Sequence, residues 1–307
     1  MEKKSLDYIM DNLPERMVKA LQKARGAFED RVTEIVLRTE RPLCIYESNR
    51  LFFITENGYL SDSVLTGDMI TVGASEMKDT VLRLCDYSVY AYQHEINSGY
   101  ITIGGGVRVG LCGQAVMSDG RVSNVRNISS LCFRIARDVK GCADSLLSKI
   151  DPLKGVLICG APGSGKTTMI RDVARQLSYR CRVSVADERC ELSACSRGEM
   201  GFGLGLCDIF AGYPKGIAAH QAIRSMAPQV IVCDELGDQS DVEMLSYSLR
   251  CGVSFIATVH ASSMHDLRNR VITKDLINTG AFRYIVFMNA DAPGRIDRIY
   301  EMCDSHG

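Results

Sequence analysis

Apolar residues between Ser5 and Lys23 fall at Leu6, Ile9, Met10, Leu13, Met17, Val18 and Leu21. That spacing is one helical face, interrupted by Pro14. Downstream the period shortens: "EIVLRT", "PLCIYE" and "LFFITE" are short β-type runs, punctuated by "RP" and "SNR". A helix is predicted over 69–92, where Met77, Val81, Leu84, Cys85 and Ser88 share a face. "YITIGGGVRVGLCGQAVM" predicts a hairpin around Gly104, Gly105 and Gly106, and two strands follow, "RVSNVRNI" and "LCFRIAR". Together these elements make an α+β domain.

After residue 140 the pattern changes. "GVLICG", "RVSVADE", "QVIVCDE", "SFIATVH" and "RYIVFM" are short, mostly β-branched apolar runs separated by longer helical or loop segments. Near-continuous apolar strands alternating with helices predict an α/β domain whose mostly parallel sheet is covered on both faces. The boundary falls in "KGCADSLLSKIDPLKG", with Pro152 and Gly155 as breaks. Two domains are therefore expected, 1–140 and 141–307, a division that suits the chain's 307 residues.

Composition narrows the classes. Lysine plus arginine total 36 against 37 acids, a net charge of −1, so global charge offers no case for nucleic acid or membrane binding. The thirteen cysteines include no C-x-x-C pair, and several sit inside apolar runs; they are expected to be reduced, buried thiols of a cytosolic protein. The charged start lacks the apolar core of a signal peptide, and no run approaches the ~18 apolar residues of a membrane span.

The chemistry begins at Gly160-Ala161-Pro162-Gly163-Ser164-Gly165-Lys166-Thr167, which fits G-x-x-x-x-G-K-[ST] at every fixed position. It follows a predicted strand and opens a predicted helix, "KTTMIRDVARQL", as a phosphate-binding loop must. The glycines let consecutive N–H groups point inward, and the helix start adds its positive end. Lys166 then suits the β and γ phosphates of a nucleotide, with Thr167 on magnesium and Thr168 beside it. A nucleotide hydrolase also needs carboxylates near the metal and the attacking water. Asp234 and Glu235 end "QVIVCDE" and supply both, Asp234 to the magnesium shell and Glu235 to the water.

Other groups are less specific. Asp187, Glu188 and Glu191 end another strand, and the carboxyl ends of parallel strands open on one edge, so they either face the nucleotide or form local ion pairs on a solvated loop. Thr258 and His260 end "FIATVH"; a lone histidine there is as readily structural as a phosphate sensor. The glycines of "SRGEMGFGLGLCDIFAGYPKG", from Gly198 to Gly216, predict a mobile or closely approached loop. Arg224 either touches phosphate or pairs with a neighbouring carboxylate.

The order of these motifs resembles the secretion ATPases of type II and type IV secretion and pilus retraction, over most of residues 141–307. The resemblance implies a RecA-like P-loop NTPase domain, ATP and Mg²⁺ as ligands, and a ring, a homo-hexamer. It implies an acidic box at Asp187, Glu188 and Glu191, a Walker B glutamate at Glu235, a further acid at Asp238, a catalytic His260 and a nucleotide-contacting Arg224. One departure is Asp234, where the family usually has glycine, and it leaves the roles of Asp234, Glu235 and Glu191 open. Because the family projects arginines from its first domain onto a neighbour's nucleotide, Arg121, Arg126, Arg134 and Arg137 are candidates in trans.

"DYSVYAYQHEINSGYITIGGGVRVGLCGQAV" and "NVRNISSLCFRIAR" further resemble the stage III sporulation AA family of endospore-forming bacteria. That resemblance implies a mother-cell cytoplasmic ATPase, peripheral to the forespore membrane through membrane proteins of a channel that it energises. Two rivals remain: a RecA-like motor stimulated by nucleic acid, which the absence of tryptophan and of a basic stripe counts against, and a nucleotide-binding switch without turnover.

Overall fold

The computed structural model describes residues 4–47, 50–64, 68–118, 120–135, 138–195 and 201–302. The chain divides into two compact units, Met1–Ala136 with Ala194–Gly201, and Arg137–Ser193 with Phe202–Gly307.

The first unit holds an antiparallel sheet of β1 (Glu34–Arg38), β2 (Cys44–Glu47), β3 (Arg50–Ile54), β4 (Leu60–Ser61), β5 (Tyr100–Ile103), β6 (Val107–Ser118) and β7 (Arg121–Arg134). Their order is β4-β3-β2-β1-β7-β6-β5. Alternate residues Ile35, Leu37, Leu131 and Phe133 point to one side and are fully buried, because strand side chains have a period of two. They pack with the helices Ser5–Asp11, Glu15–Phe28 and Ala74–Leu84. Pro14 caps the start of the second helix, which explains the interrupted face.

Two expectations need correction here. The helix predicted over 69–92 is only Ala74–Leu84, followed by a single 3₁₀ turn at Val89–Tyr92. Met69 and Val72 instead make β-bridges, and Asp86 and Tyr87 take positive φ values that end the helix. The two strands predicted after the hairpin are one strand, β7, which pairs with β6 on both sides of Asn127, at φ 49°, where the register shifts.

The second unit carries β8 (Val156–Cys159), β9 (Val183–Asp187), β10 (Asp208–Ala211), β11 (Val230–Cys233), β12 (Ser254–Val259), β13 (Tyr284–Met288) and β14 (Ile296–Glu301). The order is β10-β9-β11-β12-β8-β13-β14, parallel throughout except that β14 runs against β13. β8, β9, β11 and β13 are buried at every position. Successive residues serve opposite faces: Leu157, Ile231 and Phe255 enter one core, and Ile158, Val232 and Ile256 the other. That double burial is why these runs do not alternate in the sequence. The glycine-rich segment, expected to be a mobile or closely approached loop, contains the edge strand β10; its Gly198 lies outside the described residues.

The cysteines depart from uniform burial. Cys44, Cys85, Cys159 and Cys233 are buried, but Cys112 and Cys251 are exposed. Among the described residues no helix is long and apolar enough to cross a membrane.

Candidate functional site

The segments leaving β8, β9, β11 and β12 come together at the carboxyl edge of the parallel sheet, where the strand order turns. The loop after β8 runs directly into the helix Lys166–Leu177. Gly163 and Gly165 have φ of 77° and 94°. A Cβ on Gly165 would stand 2.8 Å from the backbone nitrogen of Gly294, whose N–H donates to the Ser164 carbonyl at 2.9 Å. Only glycine fits there, on grounds of both space and handedness. The Ser164 hydroxyl is buried without a hydrogen-bond partner, a group that a ligand in the loop would complete.

Lys166 is buried, and its ammonium donates to the carbonyls of Gly160 at 3.0 Å and Ala161 at 2.9 Å. Burial pulls its pKa down, opposed by the charges of Asp234 and Glu235. Nζ also lies 3.2 Å from Nδ1 of His260, whose Nε2 lies 3.1 Å from Oε1 of Glu235. A carboxylate only accepts and an ammonium only donates, so a neutral ring with its proton on Nε2 satisfies both neighbours. The second oxygen of Glu235 accepts from Arg189. Burial acts to raise the Glu235 pKa, but the hydrogen bond from His260 and the charges of Arg189 and Lys166 outweigh it and hold the carboxyl below its ordinary range.

Asp234 faces the other way. Its Oδ2 accepts from the Thr167 hydroxyl at 2.7 Å, and its Oδ1 accepts from the Thr258 hydroxyl and from the Glu235 N–H at 3.1 Å. Thr258, fully buried, also accepts from the Glu235 N–H at 2.9 Å. The two adjacent acids of "CDE" are thereby separated: Asp234 sits on Thr167, Glu235 on His260. Among the described residues no cluster of three or more histidine, cysteine, aspartate or glutamate side chains could hold a metal alone. The Thr167–Asp234 pair is instead the sparse oxygen set that suits magnesium, which keeps its waters and takes its remaining ligands from phosphate.

The acidic box divides. Asp187 is buried and its carboxylate is consumed by its own loop, accepting from the N–H groups of Glu191, Leu192 and Ser193 at 2.9, 3.1 and 2.7 Å and from the Ser193 hydroxyl at 2.6 Å. It lines the cleft, but with its oxygens already taken by the loop that it shapes. Glu188 and Glu191 line the cleft with Arg189, Lys215, Asp234 and Glu235. Asp238, the acid carried over from the secretion ATPases, caps the helix Gln239–Arg250 by accepting from Asp241 N–H.

Other expected residues lie apart. Thr168 is half-buried at the third position of the helix, and its carbonyl accepts from the Cys142 thiol at 3.5 Å. Arg224 is exposed in the last turn of the helix Lys215–Ser225, which precedes β11, whereas the site lies beyond that strand's opposite end. It is not among the residues that line the cleft. Arg121 and Arg126 are exposed on β7, Arg134 pairs with Glu34 at 3.1 Å, and Arg137 lies outside the described residues.

Two groups escaped sequence reasoning. Lys215 bonds Asp241 and the Glu235 carbonyl. Arg171, buried on the helix after the loop, donates to the carbonyls of Glu191 and Leu192 at 2.8 and 2.9 Å and stacks on Phe202. A basic residue on a helix carries no signal of such a partner; at most, Arg171 inside the apolar turn "MIRDV" hinted at burial.

A glycine loop that leaves a strand and opens a helix, on a doubly covered parallel sheet, is the arrangement of the RecA-like P-loop fold. Solved structures agree on the fold. The ATPase DotB of Yersinia pseudotuberculosis is 16% identical with a TM-score of 0.58, covering 92% of this chain and 78% of that one. The pilus retraction motor PilT, solved with bound ADP, is 15% identical with a TM-score of 0.54, covering 89% and 78%. The second unit is thus RecA-like and the first is the smaller α+β domain before it. The pattern of the family described as sporulation stage III, protein AA matches residues 2–306. Stage III sporulation protein AA of Bacillus subtilis (strain 168) is 33% identical over 307 residues, 96% of this chain and 95% of that protein. The chain belongs to this family.

Proposed function

We propose that the chain is a magnesium-dependent ATP hydrolase, a secretion-type motor of sporulation. In this reading residues 141–307 are the motor, and residues 1–140 make ring contacts and dock on a membrane partner. The observation that carries it is the single line of contacts Lys166–His260–Glu235 beside the pair Thr167–Asp234, at the mouth of a glycine loop with an unsatisfied buried hydroxyl. The fold shared with DotB and with PilT, the latter solved with bound ADP, supports it.

Each residue has a task. Backbone N–H groups of 160–167 and the helix start cradle phosphates. Lys166 leaves the loop carbonyls to neutralise the terminal phosphates. Thr167 and Asp234 would hold magnesium, which would help to neutralise the charge of the phosphates. Glu235, ionised and oriented by His260 and Arg189, orders the attacking water, and Glu191 is the alternative base. His260 bridges the water side to the phosphate side. Arg121, Arg126, Arg134 and Arg137 are the candidates to complete a neighbour's site in a homo-hexamer. A cytoplasmic ring of this kind in the mother cell, peripheral to the membrane, would energise assembly of, or transport through, the channel to the forespore.

The test is a multiple-turnover phosphate-release assay across protein concentration. Saturable release with specific activity rising as the chain assembles supports the reading. Binding without turnover reduces it to a switch, and strong stimulation by single-stranded DNA or RNA moves it to a nucleic-acid motor.

A further inference from the structure

We propose that the buried pair Lys215–Asp241 is the positioning device that fixes the backbone of Glu235; this deepens the hydrolase reading and rests on it. Glu235 has φ of 51°, a left-handed conformation that a residue with a Cβ keeps only where its surroundings impose it. Its peptide is gripped on both sides. The N–H donates to Thr258 Oγ1 at 2.9 Å and Asp234 Oδ1 at 3.1 Å, and the carbonyl accepts from Lys215 Nζ at 2.8 Å.

Lys215 opens its helix directly behind Pro214, and its side chain is only 13% exposed against 1% for Asp241. Nζ lies 3.0 and 3.1 Å from the two oxygens of Asp241. The same carboxylate accepts from the N–H groups of Gly237 at 2.7 Å and Asp238 at 3.1 Å, so it closes the turn that follows Glu235. A buried ion pair is weak support for a fold, because apolar residues of equal volume often serve as well. Here, however, one arm of the ammonium holds the peptide of the acid assigned to the water. Rotating that peptide would swing the Glu235 side chain off His260 and Arg189. Lys215 therefore acts on turnover through Glu235, while the phosphate loop, which it does not touch, keeps its affinity.

The experiment compares wild type, Lys215→Met, Lys215→Arg and the double variant Lys215→Met/Asp241→Leu for melting temperature, ATP affinity by calorimetry and multiple-turnover kcat. Lys215→Met should lower kcat by about 10²-fold, the scale of a misplaced reacting group, with ATP affinity unchanged. Lys215→Arg, which keeps a donor, should recover most of kcat. The double variant removes the stranded charge of Asp241, so its melting temperature should return while kcat stays low. Full turnover in Lys215→Met, or recovery of kcat together with melting temperature in the double variant, would overturn the positioning role and leave the hydrolase reading intact. A wild-type chain that neither binds nor hydrolyses ATP would overturn both.

Discussion

Thr258→Val is the sharpest probe of how the two adjacent acids are held apart. Valine matches the shape of threonine, so the fully buried position gains neither cavity nor clash; what goes is one hydroxyl. That hydroxyl donates to Asp234 and accepts from the Glu235 N–H. A hydrogen bond to a charged acceptor contributes about 1.5–3 kcal/mol. The Glu235 N–H keeps Asp234 Oδ1 as a second acceptor, so its own loss is small. The net expectation is a destabilisation of roughly 2–3 kcal/mol, which for a domain of this size lowers the melting temperature by roughly 4–12 °C. With one of the two side-chain acceptors of its N–H gone, Glu235 should also lose about tenfold in turnover, while ATP affinity, set at the glycine loop, stays. Thermal unfolding by circular dichroism, paired with phosphate release, reads both. An unchanged melting temperature with full turnover would refute the bridging role of Thr258.

Further outcomes follow from the same geometry. Glu235→Gln should bind ATP but not turn it over; unchanged turnover would transfer the water to Glu191. Glu235 titrates below the ordinary value of 4.5, so its contribution to stability is complete above that pH and is lost as pH falls through the lower folded value. The Gln variant should accordingly flatten the acid end of the stability profile. Asp187→Ala removes the acceptor of three backbone N–H groups and a hydroxyl. It should cost about 3 kcal/mol or more and open the loop 188–195 to limited proteolysis before the sheet unfolds. Among the described cysteines, Cys112 and Cys251 should react first with a thiol reagent under native conditions, and rapid labelling of Cys159 or Cys233 would contradict their burial.

Much of this was legible because burial writes itself into the chain. β8, β9, β11 and β13 are covered on both faces, so unbroken apolar runs announced them, and the glycine loop announced itself by fixed spacing. The misses have physical causes. β10 is a four-residue edge strand, half-buried along its length, so no apolar run marks it among the glycines. β7 is exposed over most of its first half and held by its long pairing with β6, which its polar residues do not signal. The sequence does not show where Arg224 stands: nine residues of helix beyond Lys215 carry it roughly 13 Å along the axis, away from the edge where Lys215 sits. Asp187 could be placed facing the nucleotide or in local ion pairs, but not in the loop that folds back upon it and takes its oxygens with backbone donors. Lys215 and Asp241 stand on different helices and meet only in the folded chain.

The central claim is that a nucleotide's phosphates seat in the loop ahead of Lys166. Titration calorimetry with ATP and Mg²⁺ on the purified chain tests it most directly, with Lys166→Ala beside it. Saturable heat from the wild type that vanishes in the variant is the predicted result. A wild-type chain that stays silent, or a variant that binds as well as its parent, would contradict the account.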